Sequence, residues 1–292
     1  MSFVYRKKMT PGDYVNYGIL TIIALFCLFP FIYVFSVSFT DPKVYVPLQL
    51  YVFPKKWSLE AYRYILSTNS FVNSLKSTVF VTAIGTVLSL FFTFTFAYAL
   101  TRQSLPGRRF FMGCVIVTLL FNAGIVPNYL LVKNLGLINS LWSLILISLT
   151  NAWSIIVVKS FMNSLPAELE EAAIIDGASD MGVFWKIIIP LSIPSIASFT
   201  LFFAVGYWNT YFNAMMYLSD SKKWTLQVLV KTLVIDSSSI SVGQMGSTDT
   251  NSLPQETIRM SSVVLAMAPI LVLYPFLQRY FVKGVMIGAI KG

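Results

Sequence analysis

Glu171-Ala172-Ala173-Ile174-Ile175-Asp176-Gly177-Ala178, followed by Phe184-Trp185-Lys186 and then Pro190, is the stretch on which the reading of this chain turns. It lies in a polar connection, 159–189, between two long apolar runs. The pattern predicts two short helices: Ser164 as an N-cap, Pro166 in the first turn, and Glu168, Glu170 and Glu171 near the positive end of the helix dipole. Leu165, Leu169, Ala172 and Asp176 recur at helical spacing. Gly177 is placed to close the first helix in a left-handed cap, and a second begins near Ser179 and carries Phe184 toward the next apolar run. On residues alone two readings stand: an ordinary amphipathic loop, or an acidic, glycine-broken hairpin that docks a soluble partner.

Outward from that hairpin the chain is apolar. Hydrophobic residues make up 56% of 292, mean hydropathy is +0.72 and only 11% are charged, where soluble domains carry about 25%. Six uncharged stretches, 14–39, 77–101, 110–132, 141–158, 187–218 and 260–278, are each long enough to cross most or all of a hydrocarbon layer about 30 Å thick. The expectation is an all-α polytopic membrane protein, one transmembrane domain over 1–292 with six transmembrane helices and the 159–189 loop between the fourth and fifth. The first run follows Arg6, Lys7 and Lys8 but is longer than a signal-peptide core, so it reads as a retained anchor.

The basic tally is nearly even between the two sides. The 102–109 connection, with Arg102, Arg108, Arg109 and no acid, together with the basic first ten residues, favours both termini inside. The formal charge of +9 then reflects loop placement and implies no nucleic-acid partner.

The expected spans hold no Asp, Glu, Lys, Arg or His. That argues against a proton-coupled carrier or a voltage sensor, and less strongly against sodium coupling through backbone carbonyls. Without histidine, and with Cys27 and Cys114 both in apolar runs, no catalytic triad or Cys/His metal site can be assembled. There is no Gly-rich phosphate loop, so nucleotide energy, if used, is released by another polypeptide.

The hairpin residues Glu171, Ala172, Ala173, Asp176, Gly177, Ala178 and Phe184 resemble the EAA loop of ABC-importer permeases. Phe53-Pro54-x-x-Trp57, Ala97-Tyr98-Ala99-Leu100, Tyr207-Trp208-Asn209 and Tyr274-Pro275-Phe276 extend the likeness to the maltose-type carbohydrate importers, MalG-like and of the LplC subgroup. The resemblance implies a non-catalytic permease subunit in the bacterial plasma membrane, paired with a second homologous permease, a cytoplasmic ATPase dimer and an extracytoplasmic solute-binding protein. This chain then binds no cofactor, and ATP and Mg belong to the ATPase. Glu171 would pair with a basic group of the ATPase, Ala172 and Ala173 would allow close approach, Gly177 would make the turn, and the segment from 283 to 292 would reach the ATPases. The alternatives are a stand-alone secondary transporter or an ABC permease for a non-sugar solute.

In the fifth run, at about 100° per residue, Trp208, Asn209, Phe212, Asn213 and Met216 share one arc. They are the candidate substrate pathway, since aromatic faces stack on sugar rings and amides bond hydroxyls. The competing reading has the amides bonding a neighbouring helix and the aromatics in the interfacial belt. Asn122, Asn128, Asn151 and Trp153 are further inward-facing candidates. Of the outer connections, 41–76 has material for a small packed cap or is a simple connection, and 219–259 carries a polar stretch, 236–252, that reads as mobile; the resemblance implies that this loop probes a binding protein, the alternative being a passive flexible loop.

Overall fold

Thirty-three residues, Asn69–Thr101, form one uninterrupted helix about 50 Å long, and most of the described fold hangs on it. The computed structural model describes residues 11–47, 49–235 and 255–289. Arg6, Lys7 and Lys8, the polar stretch 236–252 and the last three residues lie outside the described residues. Among the described residues the structure is helical, apart from one isolated bridge between Thr40 and Trp57. The helices are α1 (Pro11–Ser38), α2 (Glu60–Ser67), α3 (Asn69–Thr101), α4 (Arg108–Leu120), α5 (Ile125–Asn134), α6 (Trp142–Ile147), α7 (Ala152–Met162), α8 (Ala167–Ile175) and α9 (Asp180–Val183). A π-helical turn, Phe184–Ile188, leads into α10 (Ile189–Leu191), α11 (Ile193–Trp208), α12 (Phe212–Tyr217), α13 (Leu226–Ile235) and α14 (Gln255–Ala289).

The chain divides into two compact units. The first is Met1–Thr68 with Leu233–Ala266. In it α1 is apolar all round and its side chains stay open, Phe26 at 81% exposure, as a helix facing lipid requires. Beyond its end the backbone turns into a small cap, as residues 41–76 led us to expect, though the cap stops at Thr68. Asp41 N–H bonds the Lys56 carbonyl at 2.8 Å, Ser58 N–H bonds the Phe39 carbonyl at 2.8 Å, and the Tyr62 hydroxyl donates to Ser38 Oγ at 2.7 Å. Phe39 packs on the Tyr62 ring at 4.8 Å. The Lys56 ammonium, 2.7 Å from Asp41, holds that carboxyl below its ordinary 3.8, with help from the Lys43 N–H. A lowered folded value means that the pairing is intact above pH 3.8 and is lost only as acid carries the pH down through the folded value.

The second unit, Asn69–Thr232 with Met267–Gly292, is built around α3. The buried side of that helix carries small and hydroxylated residues: Ser74, Thr78, Gly85, Ser89 and Thr93 recur at four- and seven-residue spacing. Small residues let α11, α7 and α6 approach closely where lipid provides no hydrophobic drive for association. The closest approach is at Gly85, where the Tyr207 ring of α11 occupies the space a Cβ would need, 2.7 Å away. The Tyr207 hydroxyl is 2.9 Å from Ser89 Oγ and 3.3 Å from the Ile145 carbonyl, so three helices meet at one phenol. Thr78 Oγ1 accepts the Leu226 N–H at 2.7 Å and fixes the start of α13. Below this, Phe94, Phe199 and Phe203 form the buried aromatic core.

Several apolar runs read as continuous are interrupted. Residues 110–132 break between α4 and α5, where Asn122 Oδ1 accepts the Gly124 N–H at 2.9 Å and Gly124 takes φ +85°. Residues 141–158 break between α6 and α7, and Asn151 caps α7 by accepting the Ser154 N–H at 2.8 Å. Residues 187–218 do not form one helix. The segment Asp180–Leu191 meets α11 at 78°, and a second break at 209–211 separates α12. Pro190 and Pro194 lack the N–H groups that would continue the ladder across the bend, and Ser192 N–H bonds back to Ile188 at 2.9 Å. Two described helices, α1 and α3, are long and apolar enough to cross a membrane unaided, and the bent pair passes the same test only when its two arms are taken together.

Gly85→Ala is expected to force the Tyr207 ring off α3 and to cost about 1–3 kcal/mol. Thermal unfolding in detergent checks it: Tyr207→Phe, which keeps the ring, should lose less than Gly85→Ala.

Candidate functional site

The 159–189 connection folds as a two-helix hairpin at one end of the second unit. Helix α8 begins at Ala167 with Pro166 at the cap position and no side-chain cap. Ser164 is therefore not the N-cap: its hydroxyl donates instead to the Phe161 carbonyl at 2.7 Å, and the fixed φ of Pro166, −59°, sets the helix start. The far end forms as expected. Gly177 has φ +81°, its N–H bonds Ile174 at 3.0 Å, and Ala178 N–H bonds Ala173 at 2.9 Å, the paired bonds of a Schellman cap. Ser179 then caps α9 by accepting the Gly182 N–H at 3.2 Å.

The expected hairpin residues divide into two groups. Glu171, Ala172, Asp176, Gly177 and Ala178 are exposed. Ala173 is half-buried against the core, and Phe184 is fully buried with its ring 4.8 Å from that of Tyr98. So Phe184 anchors the hairpin and does not belong to its outer surface. Ile174, Ile175 and Met181 were not foreseen in that surface, yet they are 51%, 85% and 64% exposed. These three stand beside acidic residues on a polar loop. The sequence signal was present: Ile175 lies directly before the residue that caps the helix, where nothing remains to cover it.

The hairpin is tied to the end of α3. Arg102 Nη1 lies 2.7 Å from Glu170 Oε2, with both side chains three-quarters or more covered. The guanidinium stacks 4.2 Å over the Tyr98 ring and donates to the Tyr98 hydroxyl through Nη2. That hydroxyl in turn donates to the Asp180 carbonyl at 3.1 Å. Tyr98 on the last turn of α3 and Arg102 just beyond it thus hold both hairpin helices.

A cleft of about 500 Å³ opens at the other end of α11. Trp153, Phe202, Asn209, Tyr211, Phe212 and Asn213 are among its walls, and among the described residues no Asp, Glu, Lys or Arg lines it. Three of the four candidate pathway residues, Asn209, Phe212 and Asn213, are brought together here. Trp208 is not: it is 94% buried and does not reach the cleft, because α11 ends at Trp208 and the break at 209–211 destroys the continuous arc on which it was placed. Of the further candidates, Asn151 and Trp153 line the cleft, whereas Asn122 is an exposed loop cap. Asn209 Oδ1 accepts from Gln227 Nε2 at 3.3 Å, which aims its amide group along the cleft edge. Chemically the described lining is a surface of aromatic faces with hydroxyl and amide groups, suited to polyols.

The geometry has counterparts. A family model described as "Binding-protein-dependent transport system inner membrane component" matches residues 99–287. The chain is 46% identical over 282 residues to the polygalacturonan/rhamnogalacturonan transport system permease protein YtcP of Bacillus subtilis, covering 96% of this chain and 98% of that one. It is 42% identical over 281 residues to protein LplC of the same organism, covering 96% and 95%. Among solved structures it is similar to a chain of a bacterial ABC transporter involved in the import of the acidic polysaccharide alginate, with TM-score 0.85, 33% identity, and 94% and 99% of the two chains covered.

Gly177→Ala places a Cβ in a left-handed conformation with open space around it, so the cost is backbone strain alone, about 1–2 kcal/mol. The expected result is faster hydrogen exchange at the Gly177 and Ala178 amides with the α3 amides unchanged.

Proposed function

Because the chain belongs to the family of binding-protein-dependent transport system inner membrane components, we propose that it is the permease subunit of an ATP-driven importer that moves an oligosaccharide delivered by an extracytoplasmic binding protein. The observation that carries the proposal is the hairpin: Glu171, Ala172, Ile174 and Ile175 face outward from a loop that Phe184 and Ala173 anchor from within. An exposed isoleucine beside a carboxylate on a rigid loop is a docking element for a groove with an apolar floor and a basic rim. That groove belongs to a separate ATPase, which binds ATP and Mg, and this chain contributes no catalytic group.

In this reading the chain sits in the bacterial plasma membrane with both termini cytoplasmic. It crosses six times, with the third, fourth and fifth crossings each made of more than one helix piece. A second, homologous permease completes the pore. The cleft at Asn209, Phe212 and Asn213 receives the sugar on its outer side, the aromatic rings stacking on pyranose faces and the amides bonding hydroxyls. Fragments of acidic polysaccharides are the first class to test, since polygalacturonan, rhamnogalacturonan and alginate are the substrates named for the relatives above. Neutral amide and hydroxyl donors can bond a uronate carboxylate as well as a hydroxyl. Closure of the ATPases on ATP would draw the hairpins together and turn the pore from one side to the other.

The test is reconstitution. The chain, co-expressed with its neighbouring permease and ATPase, should purify as one complex and import sugar only with the binding protein and ATP. Active transport by this chain alone in vesicles would end the proposal. Burying Ile175 contributes about 1.5–3 kcal/mol, so Ile175→Asp should weaken ATPase binding by tenfold or more as measured by co-purification. Phe212→Ala is expected to raise the sugar concentration for half-maximal uptake about tenfold, whereas Trp208→Ala should lower thermal stability and leave that concentration within about twofold.

A further inference from the structure

Between the hairpin and the cleft runs a set of tight contacts made by α3 and by Arg102, the residue directly after its last turn. At its end are the Arg102–Glu170 pair at 2.7 Å and the Tyr98 hydroxyl on the Asp180 carbonyl at 3.1 Å, which grip α8 and α9 respectively. Nearer its middle the same helix holds Tyr207 through Ser89 and Gly85, and Tyr207 forms part of the cleft wall. The stretch of α3 between those grips holds neither glycine nor proline at 86–101, so no built-in joint dissipates a displacement along it.

We propose that Arg102 is the residue that passes hairpin movement to α3, and so to the cleft, through its ion pair with Glu170 and its stack on Tyr98. The inference rests on the importer reading above and names a device inside it. The chemistry suits the task. Arg102 and Glu170 are only 19% and 24% exposed, so their attraction is screened far less than that of a surface pair. The ring of Tyr98 under the guanidinium fixes its plane, where a lysine would swing freely. Glu170 is also the acidic residue of α8 that turns inward, beside Glu171 whose side chain is exposed. Adjacent carboxylates on one helix therefore take opposite duties, Glu171 toward the partner and Glu170 toward the membrane unit. Arg102 touches no substrate, so it is a positioning residue and acts through the hairpin.

The experiment is a double-mutant cycle on the complete importer in proteoliposomes, with Arg102→Ala, Glu170→Ala and the pair together. The quantities read are complex recovered by co-purification, stimulation of ATP hydrolysis by sugar-loaded binding protein, and ATP consumed per sugar imported. Each single variant is expected to assemble, to lose about tenfold of the stimulation, and to consume more ATP per sugar, with the double variant no worse than either single. Arg102→Lys, which keeps the charge but not the fixed plane, should fall between wild type and Arg102→Ala, and it replaces Arg102→Ala in the cycle should that variant not assemble. Single variants within about twofold of wild type, losses that multiply in the double variant, or reduced assembly with normal coupling in what assembles would each overturn the inference. A wild-type complex with no binding-protein stimulation at all would instead refute the importer reading, before any variant is made.

Discussion

The seating of Tyr207 on α3 is the contact on which the second unit depends. A phenol ring against Gly85 leaves no room for any larger residue, and its hydroxyl satisfies Ser89 and the Ile145 carbonyl together. In water such a joint would add to a hydrophobic core. In lipid, where apolar side chains gain little by leaving their surroundings, close backbone approach and shared hydrogen bonds are what make helices associate. This explains why the buried side of α3 is rich in serine, threonine and glycine while its open side carries phenylalanine and valine.

The interruptions obey the same constraint. Each break frees backbone groups that a membrane does not solvate, and each is closed locally: Asn122 takes the Gly124 N–H, Asn151 the Ser154 N–H, and Ser192 bonds back across the proline bend. The asparagines in apolar runs thus have a structural duty before any functional one. Asn151 performs both, since it caps α7 and lines the cleft with one side chain. Irregular backbone is placed beside a cavity, where water can reach the remaining groups.

The helical class, the membrane character and the hairpin were legible in the sequence because each rests on local signals: runs without charge, a glycine where a helix needs φ above zero, serine before a short helix. The break at 209–211 was not, because Asn209 and Thr210 interrupt apolar periodicity no more than the asparagines elsewhere do, and a contact that helps hold the turn, the Thr225 hydroxyl donating to the Thr210 carbonyl at 2.9 Å, comes from outside the run. Trp208 was misplaced for that reason. Glu170 illustrates the same limit. One residue from Glu171, it is drawn inward by Arg102, which lies 68 positions earlier, and no spacing rule joins two such residues.

The 78° elbow at Ser192 has a mechanical consequence. For two rigid rods meeting at that angle, only about a fifth of a thrust along the first is carried lengthwise by the second, the cosine of 78°. The larger component acts across it. Asp180–Leu191, about 18 Å long, is therefore a crank arm on α11, and a sideways stroke of a few ångströms at its tip turns that helix about its own axis instead of pistoning it through the bilayer.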